Sequence, residues 1–220
     1  AGAALLEGKN RLGDKLKKIH AVFGRRDEWL FIGRRRERKA ALAALRDRRS
    51  VLLRGQGGMG KTALALHLAQ RRLAADPEGC VPFAFDQTSL SLENICNALL
   101  DFLETDAEQY DIRSELALKQ EDWNRIQSPE LQKEKKWYKI SFLFKKIKEQ
   151  GVTPLFLLDN LEAFQTEEGG PLKPEALELL DYLLTRLRYP VICTGRYPLR
   201  EFGTEVLHPV DLNLVPFGDF

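Results

Sequence analysis

Residues 55 to 62 read GQGGMGKT, four glycines with a lysine and a threonine in one short stretch, and those types at that spacing can grip phosphate. A backbone that wraps a phosphate must turn its amides inward, through angles that a Cβ would obstruct. Gly55, Gly58 and Gly60 supply that freedom. Lys61 offers a point charge to β- and γ-phosphates, Thr62 offers a hydroxyl to Mg²⁺, and a helix opening there adds its N-terminal partial charge. Gly57, Met59 and Ala63 complete the set of candidate phosphate contacts. The expected ligand is therefore a nucleotide, with Mg²⁺.

A phosphate loop of this Walker A form needs a metal partner, normally an aspartate ending an apolar strand. Leu155 to Asn160, LFLLDN, has that Walker B form, so Asp159 is the candidate, serving Mg²⁺ opposite Thr62. Hydrolysis also needs a group to orient or deprotonate the attacking water. Asn160 cannot accept a proton; Glu162 is the nearest carboxylate, and it reads equally as a water-orienting group or as a first-turn helix acid. Arg196, after Thr194-Gly195, stands at the end of another strand, where its planar fork could report on a γ-phosphate. Lys61, Asp159, Glu162 and Arg196 are thus the candidate catalytic residues.

These side chains must be carried by a sheet. Val51-Leu52-Leu53, Pro82 to Phe85, Leu155 to Leu158, Val191 to Thr194 and Val206 to Leu212 read as strands, several of them apolar throughout. Helical spacing marks about 35 to 48, 61 to 75, the Leu92, Ile95, Leu99, Phe102 face, the stretch from Ser128-Pro129 to a stop at Gly151, and the segment after Pro174 carrying Leu177, Leu180, Leu184 and Leu187. Strands alternating with helices indicate a parallel sheet covered on both faces. The expected fold is α/β, a three-layer P-loop NTPase sandwich around a central parallel sheet of about five strands. Residues 1–30 are expected to be an N-terminal helix and linker, 31–215 the NTPase domain with a helical insertion over 104–150, and 216–220 the start of a further C-terminal region.

Composition narrows the setting. With 44% hydrophobic and 30% charged residues, no run approaches the ~20 apolar residues that cross a bilayer, so no membrane partner is expected. The start AGAALLEGKN is not a secretory signal. Cys80, Cys96 and Cys193 are scattered without metal-ligand spacing, which suits a reducing, cytoplasmic setting. The formal net charge of +2 gives no field arguing for nucleic acid, which is therefore not expected as a partner. The local cluster Arg25, Arg26, Arg34, Arg35, Arg36, Arg38, Lys39 reads as a solvated helix start. With Met59 the only methionine and a loop-like VPFGDF at its end, the sequence reads as a piece of something longer.

Four stretches, FIGRRRE at 31–37, GQGGMGKT, LFLLDNLE at 155–162 and ICTGRYP at 192–198, resemble the nucleotide-binding core of the NB-ARC/STAND class of signalling ATPases. The resemblance implies that Ile32, Gly33 and Arg34 approach the adenine or the phosphates and that Arg196 is the first sensor. It implies a switch in which ADP holds a resting form and ATP permits activation and self-association, with partners in effector and sensor domains outside this sequence. Many members carry a second acid where Asn160 stands, so the expected ATPase turnover is slow. Two other classes stay open: a DNA-acting AAA-type ATPase using the basic 25–39 segment, and a small-molecule kinase.

Overall fold

The computed structural model describes residues 13–23, 33–106 and 129–212. In chain order they form α1 (13–22), α2 (Arg35–Arg46), β1 (Ser50–Arg54), α3 (Lys61–Ala75), β2 (Cys80–Phe85), α4 (Leu92–Asp106), α5 (Pro129–Glu149), β3 (Thr153–Leu158), a 3₁₀ turn (Leu161–Phe164), α6 (Pro174–Asp181) running into a π-helical stretch (Tyr182–Leu187), β4 (Val191–Gly195) and β5 (Leu207–Asp211). All five expected strands are present. The chain divides into two compact units: 1–90 with 154–220, and 91–153.

The first unit holds a five-stranded parallel sheet in the order β2-β3-β4-β1-β5. Its strands are apolar on both sides because both faces are buried. One face presents Val51, Leu53, Leu155, Leu157, Ile192 and Val210 to a core shared with Ile19 of α1, Ala41, Ala44 and Leu45 of α2, and Leu64, Leu68 and Leu73 of α3. The opposite face buries Leu52, Phe156, Leu158, Val191 and Cys193 just as fully. Polarity and prolines fall where this topology permits. Pro82 and Pro209, which cannot donate to a ladder, sit in β2 and β5, the two edge strands, and Pro154 of interior β3 precedes the residues paired with β4, which begin at Phe156.

Register fixes which strand ends meet. β1 pairs in parallel with β4 (Leu52 opposite Cys193) and with β5 (Leu52 opposite Pro209), and β3 pairs in parallel with β4 (Leu157 opposite Ile192). The carboxyl ends of β3, β4 and β1 therefore stand side by side. Sheets of this kind receive ligands along that edge. Arg54 closes the β5 side with a two-pronged ion pair to Asp211, Nε to Oδ1 and Nη2 to Oδ2 both at 2.7 Å.

In the second unit α4 and α5 pack on each other, burying Ile95, Leu99 and Leu103 against Ile140, Leu143, Phe144 and Ile147. Of the expected helical insertion over 104–150, residues 107–128 lie outside the described residues. The segment after Pro174 departs from expectation. Its buried residues are Ala176, Leu179, Leu180, Tyr182, Leu183 and Leu184, while Leu177 and Leu187 are half-exposed. Positions 176, 179, 180, 183 and 184 keep regular helical spacing, as a stripe one step round from the expected leucines.

Candidate phosphate-binding site

Gly55 leaves β1 at a point where a side chain has no room: a Cβ there would stand 2.7 Å from the Leu212 carbonyl oxygen and 2.9 Å from Met59 Sδ. Gly60 caps α3 with φ of 81°, the left-handed region that glycine enters at little cost. Between them the loop curls around Lys61, whose Nζ donates to the carbonyls of Gly55 (2.7 Å) and Gln56 (3.0 Å). The lysine is almost fully buried. Burial lowers its pKa from the ordinary value; Glu162 and Asp159 oppose that shift, and Arg196 adds to it.

Asp159 is held from two sides. Thr62 Oγ1 donates to its carboxylate at 3.0 and 3.2 Å, and Thr194 Oγ1 donates to the same carboxylate from β4. The Thr194 hydroxyl also accepts the Asn160 N–H at 3.0 Å. One threonine thus fixes the aspartate and the turn after it. Asn160 takes φ of 60°, which bends the chain sharply into the 3₁₀ turn and brings Glu162 back toward the loop.

The Thr62 hydroxyl and the Asp159 carboxylate are hard oxygen donors in direct contact, the set that suits Mg²⁺ held by one carboxylate plus substrate phosphates. Among the described residues there is no group of three or more His, Cys, Asp or Glu that could hold a metal by itself. An ion here would complete its shell with phosphate oxygens and waters. When bound, it would supply Lewis-acid charge that stabilises negative charge on the phosphates.

Across the cleft, Arg196 Nε pairs with Glu162 Oε1 at 3.1 Å. The second oxygen, Oε2, is buried and accepts no hydrogen bond among the described residues. Arg196 reaches over the loop, since a Cβ on Gly57 would sit 3.6 Å from its Nη2. Residues 57–62, Asn160, Glu162 and Arg196 together line a cleft of about 190 Å³. That is smaller than the roughly 300–1,000 Å³ of most small-molecule pockets, and it matches the phosphate end of a nucleotide rather than the whole.

The topology therefore brings together Lys61, Thr62, Asp159, Glu162 and Arg196, with Gly57, Gly58, Met59 and Gly60 on the cleft wall. Ile32 lies outside the described residues. Gly33 and Arg34 do not line this cleft, and Arg34 is instead mostly buried against Glu37, 3.2 Å away. Thr194 escaped sequence reasoning, which fixed on the arginine two residues on. A hydroxyl at the end of an apolar strand beside the aspartate strand was the available signal.

The family model of the AAA ATPase domain matches residues 30–193. No curated protein matches the chain. Among solved structures, it is similar to the ORC1 protein of Aeropyrum pernix, solved in complex with DNA, at 14% identity and TM-score 0.52, covering 84% of this chain and 46% of that one. It is also similar to a Walker-type ATPase of Pyrococcus abyssi at 15% identity and TM-score 0.44, covering 82% and 54%. The chain spans about half the length of these structures.

The ORC1 structure corrects the expectation that nucleic acid is not a partner, because a protein of this fold is solved holding DNA. The physical fault lay in the net charge of +2, a sum in which opposite signs cancel wherever they stand. Position decides the field: Arg38, Arg46, Arg48, Arg71 and Arg72 all line one groove. As for the expected absence of a membrane partner, no helix among the described residues is long and apolar enough to cross one.

Proposed function

Because the chain belongs to the family of AAA ATPase domains, we propose that it is an ATP/ADP-binding regulatory switch of the NB-ARC/STAND type. ADP holds its resting form, ATP drives activation or self-association, and Mg²⁺-dependent hydrolysis is slow. Self-association and contact with effector and sensor domains belong to this proposal. So do the assigned roles: Gly55 to Ala63 hold phosphates, Thr62 and Asp159 hold Mg²⁺, Glu162 orients water and Arg196 senses the γ-phosphate.

The observation that carries the reading is the Arg196–Glu162 pair across the phosphate cleft. A γ-phosphate would compete for the guanidinium, drawing Arg196 onto its oxygens and releasing Glu162. ADP lacks that oxygen set. A ligand shifts an equilibrium only by its differential affinity for the two states. A charge-assisted contact of about 1.5–3 kcal/mol corresponds to roughly 10–150-fold, short of the ~10⁴-fold that throws a switch from 1:99 to 99:1. Arg196 therefore biases the switch together with other contacts.

Calorimetry tests it. The wild-type chain should bind both nucleotides, Lys61→Ala should bind neither well, and Arg196→Ala should keep ADP affinity while losing roughly 10-fold or more for ATP. Equal losses for both nucleotides in Arg196→Ala, or no binding by the wild type, would sink the switch.

A second reading, a DNA-acting AAA-type ATPase, is supported by the ORC1 protein's complex with DNA and by the clustering of arginines along α2 and α3. Absence of DNA binding at low salt would dispose of it.

A further inference from the structure

α3 carries the phosphate loop at its start, and about 15 Å further along, at ~1.5 Å per residue, it carries Arg71 and Arg72. These two arginines face Arg38, Arg46 and Arg48 of the α2 region across a groove of about 640 Å³. Leu42, Leu45 and Ala75 make its apolar floor, on which arginine stems can lie while their heads reach outward.

The charge in the groove is not balanced from within. Among the described residues, Arg38, Arg46, Arg48 and Arg71 form no ion pair, and Arg72 reaches Asp76 only at 3.9 Å. The nearby carboxylate of Asp47 is taken by Arg49 at 3.2 Å. Helix dipoles account for part of the pattern, since Arg46 and Arg72 stand in last turns, where cations are favoured. They do not account for Arg38. It stands in the first turn of α2, where a cation opposes the dipole; burial lowers the His67 pKa from its ordinary value, and the charges of Arg38 and Arg71 lower it further.

From this geometry we infer that the α2–α3 groove binds the phosphate backbone of duplex DNA. The inference rests on the DNA-acting reading above and gives it a place. All five basic lining residues are arginines, whose planar forks match phosphate oxygens in pairs, where lysine would offer only a point charge. From Arg38 to Arg46 the charges extend about 12 Å along α2. One phosphate satisfies one or two such groups. A duplex, with a charge every ~1.7 Å of axis, can satisfy all of them. A flat lipid surface would leave the half-buried Arg38 and Arg72 short of contact.

Fluorescence anisotropy with a 25-base-pair duplex tests this. If about four phosphates are neutralised, wild-type affinity should fall on the order of 100-fold between 50 and 200 mM salt. Replacing two exposed groove residues, Arg46→Gln with Arg71→Gln, should reduce the log–log salt slope by about 2 and weaken binding at least ~10-fold, with ATP binding unchanged. Lys39→Gln, outside the groove, should have the smaller effect. In the wild type, DNA should also raise the His67 titration midpoint measured by NMR. DNA binding with an unaltered slope in the double variant overturns the groove and leaves the DNA-acting reading standing. No binding at 50 mM salt overturns both. Tighter capture of poly-glutamate or of phosphatidylserine vesicles than of the duplex overturns the nucleic-acid assignment.

Discussion

At the start of α3, Lys61 donates to two loop carbonyls and Arg196 is held by Glu162. Near the end of the same helix, Arg71 stands with Arg38, Arg46 and Arg48 in a groove where, among the described residues, none of the four forms an ion pair. Both regions collect cations around concave surface. At the phosphate cleft each cation already has an internal partner, so a ligand must exchange one contact for another, and exchange is what a switch requires. In the groove those four arginines have, among the described residues, no ion pair that a ligand would have to displace.

The comparison breaks most visibly at Glu162. If the pair with Arg196 is a latch that an incoming γ-phosphate opens, Glu162→Gln should lower the hydrolysis rate roughly 10²–10⁴-fold, with ATP affinity changed only a few-fold. A rate left intact would reduce Glu162 to a counter-ion. Thr194→Val keeps the shape but removes the hydroxyl that holds Asp159 and the Asn160 N–H. It should destabilise the fold by about 1–3 kcal/mol in chemical denaturation and weaken the dependence of ATP binding on Mg²⁺. An equivalent change in the groove, Arg48→Gln, should leave stability within about 0.5 kcal/mol.

The smallest effect expected is with pH, and its sign differs between folding and binding. The pKa of Lys61 is lowered from 10.5 by burial first. Between that lowered value and 10.5 the unfolded chain holds more protons, so stability should rise with pH in this window. Phosphate binding needs the ammonium and should fall over the same window. Denaturation and calorimetry at matched pH values would show the two slopes, and parallel slopes would mean that Lys61 does not meet the phosphate.

Much of the nucleotide end was legible in the sequence because its parts are local. GQGGMGKT specifies its own turn, and an apolar run such as Leu155–Leu158 identifies a buried strand wherever it pairs. Thr194 was passed over because its role exists only once β4 lies beside β3. The buried stripe over 176–184 was missed because Leu177, Leu180, Leu184 and Leu187 make a stripe of the same helical spacing, and only packing decides which of the two is buried. The groove was invisible for a different reason. A charge run at 34–39 reads as a solvated helix start, yet Arg34 turns to Glu37 and Arg38 joins residues more than thirty positions away.

By itself the sequence determined the glycine-rich loop, the five strands and the identity of the polar groups around the cleft, since these follow from backbone freedom, apolar run length and the chemistry of single side chains. Only the tertiary structure decided which strand ends stand together, which cation has a partner and which has none. Those depend on strand order and helix packing, and a sum of charges along a chain carries no trace of either.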